Sequence, residues 1–394
     1  MISAPLTPPF FEKGADLFLS SFSYDNPLFC YDRFTNLLIF KLRIEITGIL
    51  IYNRLDRKFR RLKVREYIML FSRDIGIDLG TSNTLITDKK GHIIIQEPSV
   101  VAVDVKSKRV LATGDEAKTM IGRTPGSIVA VRPIRDGVIA DFDMTADMIH
   151  DFIYRSSKRN MFTKTRVVIS VPADVTEVER RAVEDAARSA GAQEVELIEA
   201  PMAAALGAGL PVYEAAGSMI VDIGGGTCDI AVVSLGGIAS SKSIKIGGDA
   251  LDEAIVTYMK KNHNLLIGER TAEDIKIKLG SASAYDGEGA MEVRGRNLAD
   301  GLPNSMEITS GEVREILFEP VNSIVNAVKE TLEVTLPELA ADIIDRGIYL
   351  TGGTGQLRGL RELLEMHTKI PVIIPDRPTE CVALGTSVKL RRAR

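Results

Sequence analysis

The pattern of apolar and polar positions along the chain changes at Met69. Beyond this residue, short runs of isoleucine, valine and leucine alternate regularly with segments in which apolar residues recur every three or four positions. The first pattern is typical of buried strands and the second of amphipathic helices. A chain of 394 residues that keeps this rhythm over most of its length has room for two domains of ordinary size.

Residues 1–68 lack this rhythm. They are rich in aromatic residues, contain Pro5, Pro8 and Pro9, and end in the strongly basic run 57–65. Three interpretations stay open. Translation starts at Met69 and the segment is an artefact of an upstream start, or the segment is a basic arm for an anionic membrane, or it is a small accessory domain.

Two segments share one plan, which is an apolar strand, a glycine-rich turn and a second apolar strand. They are residues 74–86 (DIGIDLGTSNTLI) and residues 219–233 (MIVDIGGGTCDIAVV). Each has an aspartate, Asp78 or Asp222, two positions before the first glycine of its turn. This match predicts a duplicated architecture in which each half of the chain contributes one unit.

These turns have the chemistry of a phosphate site. Glycine lets the backbone approach a ligand closely, and successive inward N–H groups form a nest for an anion. A carboxylate beside the nest would repel phosphate, but it can hold Mg²⁺ through water. One unit alone would fit an ordinary hairpin equally well, whereas two units with matching aspartates favour phosphate binding. The chain has no GxxxxGK[ST] sequence, and its triple glycine continues into a strand, so neither a Walker A loop nor a Rossmann fingerprint is present.

A third glycine-rich turn follows a strand within residues 346–360 and leads into a helix, which suits an adenosine or ribose–phosphate contact. Between the second and third turns, residues 268–279 (GERTAEDIKIKL) predict a helix capped by Thr271. Glu273 and Lys276 lie on one face of this helix, either as a surface ion pair or as a clamp for ribose and purine.

Two further helices are predicted near the middle of the chain. Thr176 and Glu179 have the spacing of a capping box, at the start of a helix that Gly191 ends. The small residues of 203–207 predict a second helix that packs closely on a neighbour.

Composition and charge exclude several classes of protein. The net charge of -4 provides no basic field for nucleic acid. The cysteines and histidines are scattered without metal-ligand or CxxC spacing, which favours free thiols in a reducing compartment. The most apolar stretch, residues 34–52, contains Lys41, Arg43 and Glu45, so no transmembrane helix is predicted. A signal peptide is not predicted either, and we expect a cytoplasmic protein.

The three glycine turns, in this order, resemble the phosphate-1, phosphate-2 and adenosine loops of the actin–Hsp70–sugar kinase superfamily. The similarity is greatest to the bacterial MreB family of shape-determining proteins and extends over residues 72–391. The stretches that carry it are residues 74–84, 97–100, 131–141, 168–172, 179–181, 201–207, 222–227, 268–271 and 350–353.

This resemblance implies an α/β fold with two actin-like lobes, residues 69–212 and 213–394, each built on an RNase H-like mixed sheet with a smaller inserted subdomain. A C-terminal segment, residues 375–391, would pack back on the first lobe. ATP and Mg²⁺ would lie in the cleft between the lobes, with Asp78 and Asp222 positioning the metal and its waters. The family's nucleotide contacts correspond here to Thr81, Ser82, Asn83, Gly225, Gly226 and Thr227 at the phosphates, Glu273 and Lys276 at the ribose and base, and Gly352, Gly353, Thr354 and Gly355 at the adenosine.

The chain departs from the family at the residue before Pro201. Most relatives have a glutamate there, which orients or deprotonates the water that attacks the γ-phosphate. This chain has Ala200, and its glutamate, Glu199, stands one position earlier. A shift of one residue in an extended segment turns a side chain to the opposite face. We therefore expect nucleotide binding with slow hydrolysis, with Glu199 and Thr227 as the catalytic candidates.

Met161 and Phe162 form the apolar centre of a polar loop, residues 156–166, that has cations on both sides. Such a tip in a basic collar fits a peripheral contact with the inner face of the cell membrane, and a loop folded back on the core is the alternative. The resemblance also implies self-assembly into filaments, typically antiparallel and double, and partners among the membrane proteins of the cell-elongation machinery.

Two rival functions come from the same superfamily. A sugar or acetate kinase would need an acceptor pocket and a catalytic carboxylate, and the sequence offers no candidate constellation for them. An Hsp70-like chaperone would need a substrate-binding β-domain after the nucleotide domain, and we expect none.

Overall fold

The computed structural model describes residues 72–156 and 164–392. The extension 1–68 and the loop residues Met161 and Phe162 lie outside the described residues, so the predictions made for them stay predictions.

The strands of the described chain alternate with its helices, as the sequence pattern predicts. The strands are β1 (Ser72–Leu79), β2 (Asn83–Asp88), β3 (Ile93–Pro98), β4 (Val101–Asp104), β5 (Val110–Thr113), β6 (Ile128–Val131), β7 (Ile134–Arg135), β8 (Val138–Ile139), β9 (Lys164–Val171), β10 (Glu194–Glu199), β11 (Ser218–Ile223), β12 (Cys228–Ser234), β13 (Gly237–Ile244), β14 (Leu265–Leu266), β15 (Ala290–Asn297), β16 (Pro303–Thr309), β17 (Ile348–Thr351) and β18 (Val372–Ile373). The α-helices are α1 (Gly114–Met120), α2 (Phe142–Ser156), α3 (Glu177–Ser189), α4 (Ala200–Gly207), α5 (Gly248–His263), α6 (Glu269–Leu279), α7 (Ser310–Glu333), α8 (Pro337–Arg346), α9 (Leu360–Thr368) and α10 (Cys381–Arg392).

Two five-stranded sheets have the same topology. Their strand orders are β10-β9-β1-β2-β3 and β13-β12-β11-β17-β18. In each sheet, three consecutive strands form an antiparallel meander, and two later strands add in parallel next to its first strand. The duplicated strand–turn–strand units are β1–β2 and β11–β12, so the predicted duplication is confirmed.

Each sheet carries an inserted subdomain at the same point of its topology, after the third strand. In the first lobe this is the small sheet β5-β4-β6 with α1, and in the second lobe it is the sheet β14-β15-β16 with α5 and α6. The fold is therefore the two-lobed α/β fold that the sequence predicts, while the exact lobe boundaries stay a prediction.

Each lobe has its own apolar core. Ile77 and Ile169 pack in the first lobe with residues of α2 and α3, and Val221 and Ile324 pack in the second lobe with residues of α5 and α7. Burying these side chains contributes about 25 cal/mol of stabilising free energy per Å² of apolar surface removed from water. The strand ends that carry the glycine turns are therefore fixed by rigid sheets.

A third apolar cluster joins the lobes. It includes Val168 of β9, Ile220 of β11, Ala203 of α4 and Val382 of α10. Helices α4 and α10 each follow the last strand of their own sheet and pack on each other, and α4 also contacts β11 and β12 while α10 contacts β1, β2 and β9. Each helix thus reaches the sheet of the other lobe, and the close helix packing predicted for residues 203–207 is confirmed.

The helix cap predicted from the sequence is present at α3 but not at α6. Thr176 accepts from the backbone N–H of Glu179 at 3.3 Å and donates its own backbone N–H to the Glu179 carboxylate at 2.7 Å, so the capping box is confirmed. The predicted cap by Thr271 is wrong, because α6 begins at Glu269 after Gly268, which has no side chain to cap it. No helix within the described residues is long and apolar enough to cross a membrane.

Candidate functional site

The glycine turns of both sheets and the third glycine loop line one cavity of about 510 Å³. It lies at the ends of β1 and β11, where these strands lead into their turns. The predicted site residues on its wall are Asp78, Thr81, Ser82, Asn83, Asp222, Gly225, Gly226, Thr227, Glu273, Lys276, Gly352, Gly353 and Thr354.

Glycine is required in these turns because other backbone and side-chain atoms leave no space for a Cβ. A Cβ on Gly225 would lie 2.0 Å from the Ser82 hydroxyl, and a Cβ on Gly226 would lie 2.5 Å from that of Thr81. Gly352 has a positive φ of +84°, and its Cβ would lie 2.2 Å from the carbonyl oxygen of Ile223. The two turns from different lobes therefore touch, and their backbone groups line one space.

Asp78 and Asp222 reach the cavity from equivalent positions at the ends of β1 and β11. The Ser170 hydroxyl donates to Asp78 at 2.9 Å, and the Thr351 hydroxyl donates to Asp222 at 2.8 Å. Burial raises the pKa of Asp78 to about 6 and that of Asp222 to about 7, and the negative charge of Asp78 adds to the rise at Asp222. A cation beside these two desolvated carboxylates would stabilise their charged forms.

This donor set fits Mg²⁺, which is usually bound through one or two carboxylates and keeps several waters. Among residues 72–156 and 164–392, no group of three or more His, Cys, Asp and Glu residues could hold a metal ion. Metal held at Asp78 and Asp222 would therefore depend on water and ligand oxygens for its remaining contacts.

Thr227 is oriented by a carboxylate that the sequence reasoning missed. Its hydroxyl donates to Asp229 at 2.9 Å, and Asp229 also accepts from the backbone N–H of Ala173 at 3.3 Å. Asp229 is buried and lines the cavity, and burial raises its pKa. The available signal was a charged residue within the apolar strand β12. Since the Thr227 proton is engaged, its oxygen can accept a hydrogen bond from a molecule in the cavity.

Glu273 and Lys276 share one face of α6, as predicted, but they do not pair with each other. Lys276 donates to the Asp252 carboxylate at 2.8 Å and to the carbonyl oxygen of Gly248 at 2.9 Å. Glu273 forms an ion pair with Lys118 of the first lobe at 3.4 Å. The interpretation of these two residues as a mutual surface ion pair is therefore wrong.

Two predicted site residues do not line the cavity. Strand β10 ends at Glu199, whose carboxylate accepts from Arg180 at 2.9 Å, and the next residue, Ala200, is the one that faces the cavity. Gly355 is buried within a short 3-10 helix (Thr354–Gln356), where its α-carbon faces Leu350. Conversely, Gln96 lies on the cavity wall although no sequence pattern singles it out.

Two matching sheets, inserted subdomains and a cavity between the lobes define the actin-like ATPase fold. The family model described as MreB/Mbl protein matches residues 72–394. The chain belongs to the MreB/Mbl family.

Individual relatives agree with this assignment. The cell shape-determining protein Mbl of Bacillus subtilis (strain 168) is 50% identical over 321 residues, which cover 82% of this chain and 96% of Mbl. The cell shape-determining protein MreB of Escherichia coli (strain K12) is 52% identical over 327 residues, which cover 82% of this chain and 94% of that protein. Among solved structures, MreB5 of Spiroplasma citri bound to ADP has a TM-score of 0.76 at 37% identity and covers 80% of this chain and 95% of its own.

Proposed function

We propose that this protein binds ATP with Mg²⁺ in the cavity between its lobes and assembles with itself into filaments that determine cell shape. The observation that carries the proposal is the convergence of both duplicated glycine turns and their aspartates on one cavity. MreB5, a solved relative, is bound to ADP, and the Mbl and MreB relatives are named as cell shape-determining proteins. These names support an adenine nucleotide in the cavity and a role in cell shape for this chain.

The residues divide into roles by their place on the cavity wall. The backbone N–H groups of the first two turns, with the hydroxyls of Thr81 and Ser82, would donate to phosphate oxygens. Bound Mg²⁺ would neutralise phosphate charge between Asp78 and Asp222. Lys276, fixed by Asp252, would lie near the ribose and base together with the third glycine loop.

Hydrolysis would rely on few groups. The Thr227 hydroxyl donates its proton in a hydrogen bond to Asp229, so its oxygen would be left to accept a hydrogen bond from a water. Ala200 offers no polar group, and Glu199 is held by Arg180 outside the cavity wall. We therefore propose an ATPase whose turnover is slow and whose ATP-bound filaments are long-lived.

Sedimentation with and without Mg-ATP tests the assembly step. We expect the full chain to pellet in the presence of Mg-ATP and to stay in the supernatant without it. A parallel assay of sugar and acetate phosphorylation separates the cytoskeletal function from a kinase of the same superfamily. Phosphorylated acceptor without pelleting would overturn the proposal.

We also propose that filaments lie on the inner face of the cell membrane, with Met161 and Phe162 as the apolar anchor and proteins of the elongation machinery as partners. Burying two such side chains stabilises association by roughly 2–5 kcal/mol, and a filament repeats the contact along its length. Met161→Ser with Phe162→Ser should reduce co-sedimentation with anionic vesicles and leave Mg-ATP affinity unchanged. Equal sedimentation of both proteins would show that the anchor lies elsewhere.

A further inference from the structure

An ion pair crosses from one lobe to the other beside the first glycine turn. Arg132 follows β6, at the base of the subdomain inserted in the first lobe, and its guanidinium Nη1 donates to the Asp249 carboxylate of α5 at 3.0 Å. The Ser82 hydroxyl donates to the same carboxylate oxygen at 3.3 Å. Three side chains from three different segments thus meet at one oxygen.

Asp249 links both glycine turns. Its backbone N–H donates to the carbonyl oxygen of Gly225 in the second turn at 2.8 Å, while its side chain accepts from Ser82 in the first turn. A change at the Asp249 carboxylate would therefore alter the contact between the lobes at the point where phosphate is proposed to bind.

Ser82 has one hydroxyl proton, so it can donate either to Asp249 or to a phosphate oxygen. The Asp249 carboxylate would also repel phosphate directly, since both are negative. Arg132 Nη1 lies 3.5 Å from the Ser82 oxygen, so its charge is within reach of any anion that Ser82 binds. Phosphate and Asp249 are thus rivals for the same two donors.

Arg132 has donor capacity to spare. Its Nε is buried and has no hydrogen-bond partner within the part of the chain that the structure describes. Buried donors are normally paired, and a guanidinium carries five N–H groups suited to carboxylate or phosphate oxygens. A phosphate beside Ser82 would lie next to Nη1, the guanidinium nitrogen 3.5 Å from the Ser82 oxygen, and would offer Arg132 further acceptors.

We propose that Arg132 and Asp249 are positioning residues that respond to phosphate, because phosphate bound at the first glycine turn takes Ser82 and Arg132 from Asp249. The exchange loosens the cross-lobe pair when nucleotide binds and restores it when phosphate leaves. The inference rests on the proposed nucleotide function and names the residues through which that function reaches the contact between the lobes.

Titration calorimetry of the full chain with Mg-ATP tests this competition, because substitutions of Asp249 and Arg132 should change the affinity in opposite directions. Asp249→Asn removes the rival acceptor and a negative charge, so affinity should rise by at least about threefold. Arg132→Gln leaves Asp249 uncompensated beside the phosphate, so affinity should fall by at least about threefold. Residues that merely hold the fold together would weaken binding in both variants, and that result would overturn the inference.

Two further variants test whether the effect passes through Ser82 and depends on the charge of Arg132. Ser82→Ala should abolish part of the gain from Asp249→Asn, so a double-mutant cycle should show coupling between the two positions. Arg132→Lys, which keeps the charge, should recover most of the affinity that Arg132→Gln loses, and it decides the matter if Asp249→Asn does not fold. Additive effects of Ser82 and Asp249, together with no recovery by lysine, would contradict the proposal.

Matched controls come from the same segments. Glu253→Gln removes a negative charge from an exposed position of α5 and is the control for Asp249→Asn. Arg135→Gln removes a positive charge from an exposed position three residues after Arg132 and is the control for Arg132→Gln. Both should bind Mg-ATP within about twofold of the parent. If the parent itself binds no Mg-ATP, the proposed function fails along with the inference. If the parent binds but the two key variants shift together, only the inference fails.

Discussion

Gly207 of α4 and Gly385 of α10 bring the two helices that join the lobes into backbone contact. A Cβ on Gly207 would lie 1.8 Å from the carbonyl oxygen of Cys381, and a Cβ on Gly385 would lie 1.8 Å from the carbonyl oxygen of Ala203. Both obstructing atoms belong to the backbone, so no side-chain rotation can relieve the clash. The crossing of these helices therefore depends on the absence of a side chain at both positions.

Gly385→Ala should destabilise the protein by about 2–3 kcal/mol or more, because overpacking forces the two helices apart. Gly311→Ala is the matched control. Gly311 is also helical, yet the nearest atom to its Cβ is a flexible arginine end at 3.7 Å, so alanine there should be neutral or slightly stabilising. Urea unfolding of the two variants and the parent measures both effects. Equal stability of the two variants would refute the packing argument.

Asp222→Ala should weaken Mg-ATP binding by at least about tenfold, because it removes a carboxylate that would hold the metal and its waters. Calorimetric titration in Mg²⁺ measures the loss. Repeating the titration in excess EDTA is the internal control. Without metal the Asp222 carboxylate can only repel phosphate, so the variant should then bind ATP at least as tightly as the parent. A variant that binds Mg-ATP as well as the parent would remove Asp222 from the metal site.

The same two carboxylates predict how stability depends on pH without metal. The pKa of Asp78, about 6, and that of Asp222, about 7, both exceed the unfolded value near 4. The folded state therefore binds these protons more tightly, and the resulting stabilisation is complete below about pH 4 and is lost as the pH rises through about 6 and 7. Urea unfolding in EDTA should show a smaller loss between pH 5 and pH 8 for an Asp78→Asn/Asp222→Asn variant than for the parent. Identical pH profiles would contradict the assignment.

The glycine turns could be predicted from the sequence because their signal is local. Residues 74–86 and 219–233 combine apolar strands, glycine turns and an aspartate at fixed spacing. A turn in which the backbone has no space for a side chain requires glycine, so it can be recognised in the sequence. The capping box of Thr176 and Glu179 is equally local. Such local signals are enough to predict the two turns that line the cavity.

The remaining features depend on contacts between distant segments, which periodicity does not encode. Lys276 forms an ion pair with Asp252, and Glu273 forms one with Lys118. These two neighbours on one helix face therefore bind different partners. Asp229 stands only two residues after Thr227, but it also accepts from the backbone N–H of Ala173, which belongs to a distant segment. The predicted cap at Thr271 failed because α6 starts two residues earlier than the first capping side chain available.

Ala200 faces the cavity at the position where the family resemblance implies a glutamate. A group that orients or deprotonates the attacking water typically accelerates a reaction by 10²–10⁴-fold, and alanine offers no such group. Ala200→Glu should therefore raise ATP turnover at least about tenfold, while Mg-ATP affinity should change little because the glycine turns are untouched. Phosphate release under filament-forming conditions measures turnover, and Glu199→Gln is the matched control, since Glu199 is held by Arg180 and should not affect the rate. If the parent hydrolyses ATP rapidly and Glu199→Gln abolishes this activity, Glu199 must leave Arg180 to act on the water. The assignment of slow turnover to Ala200 would then be wrong.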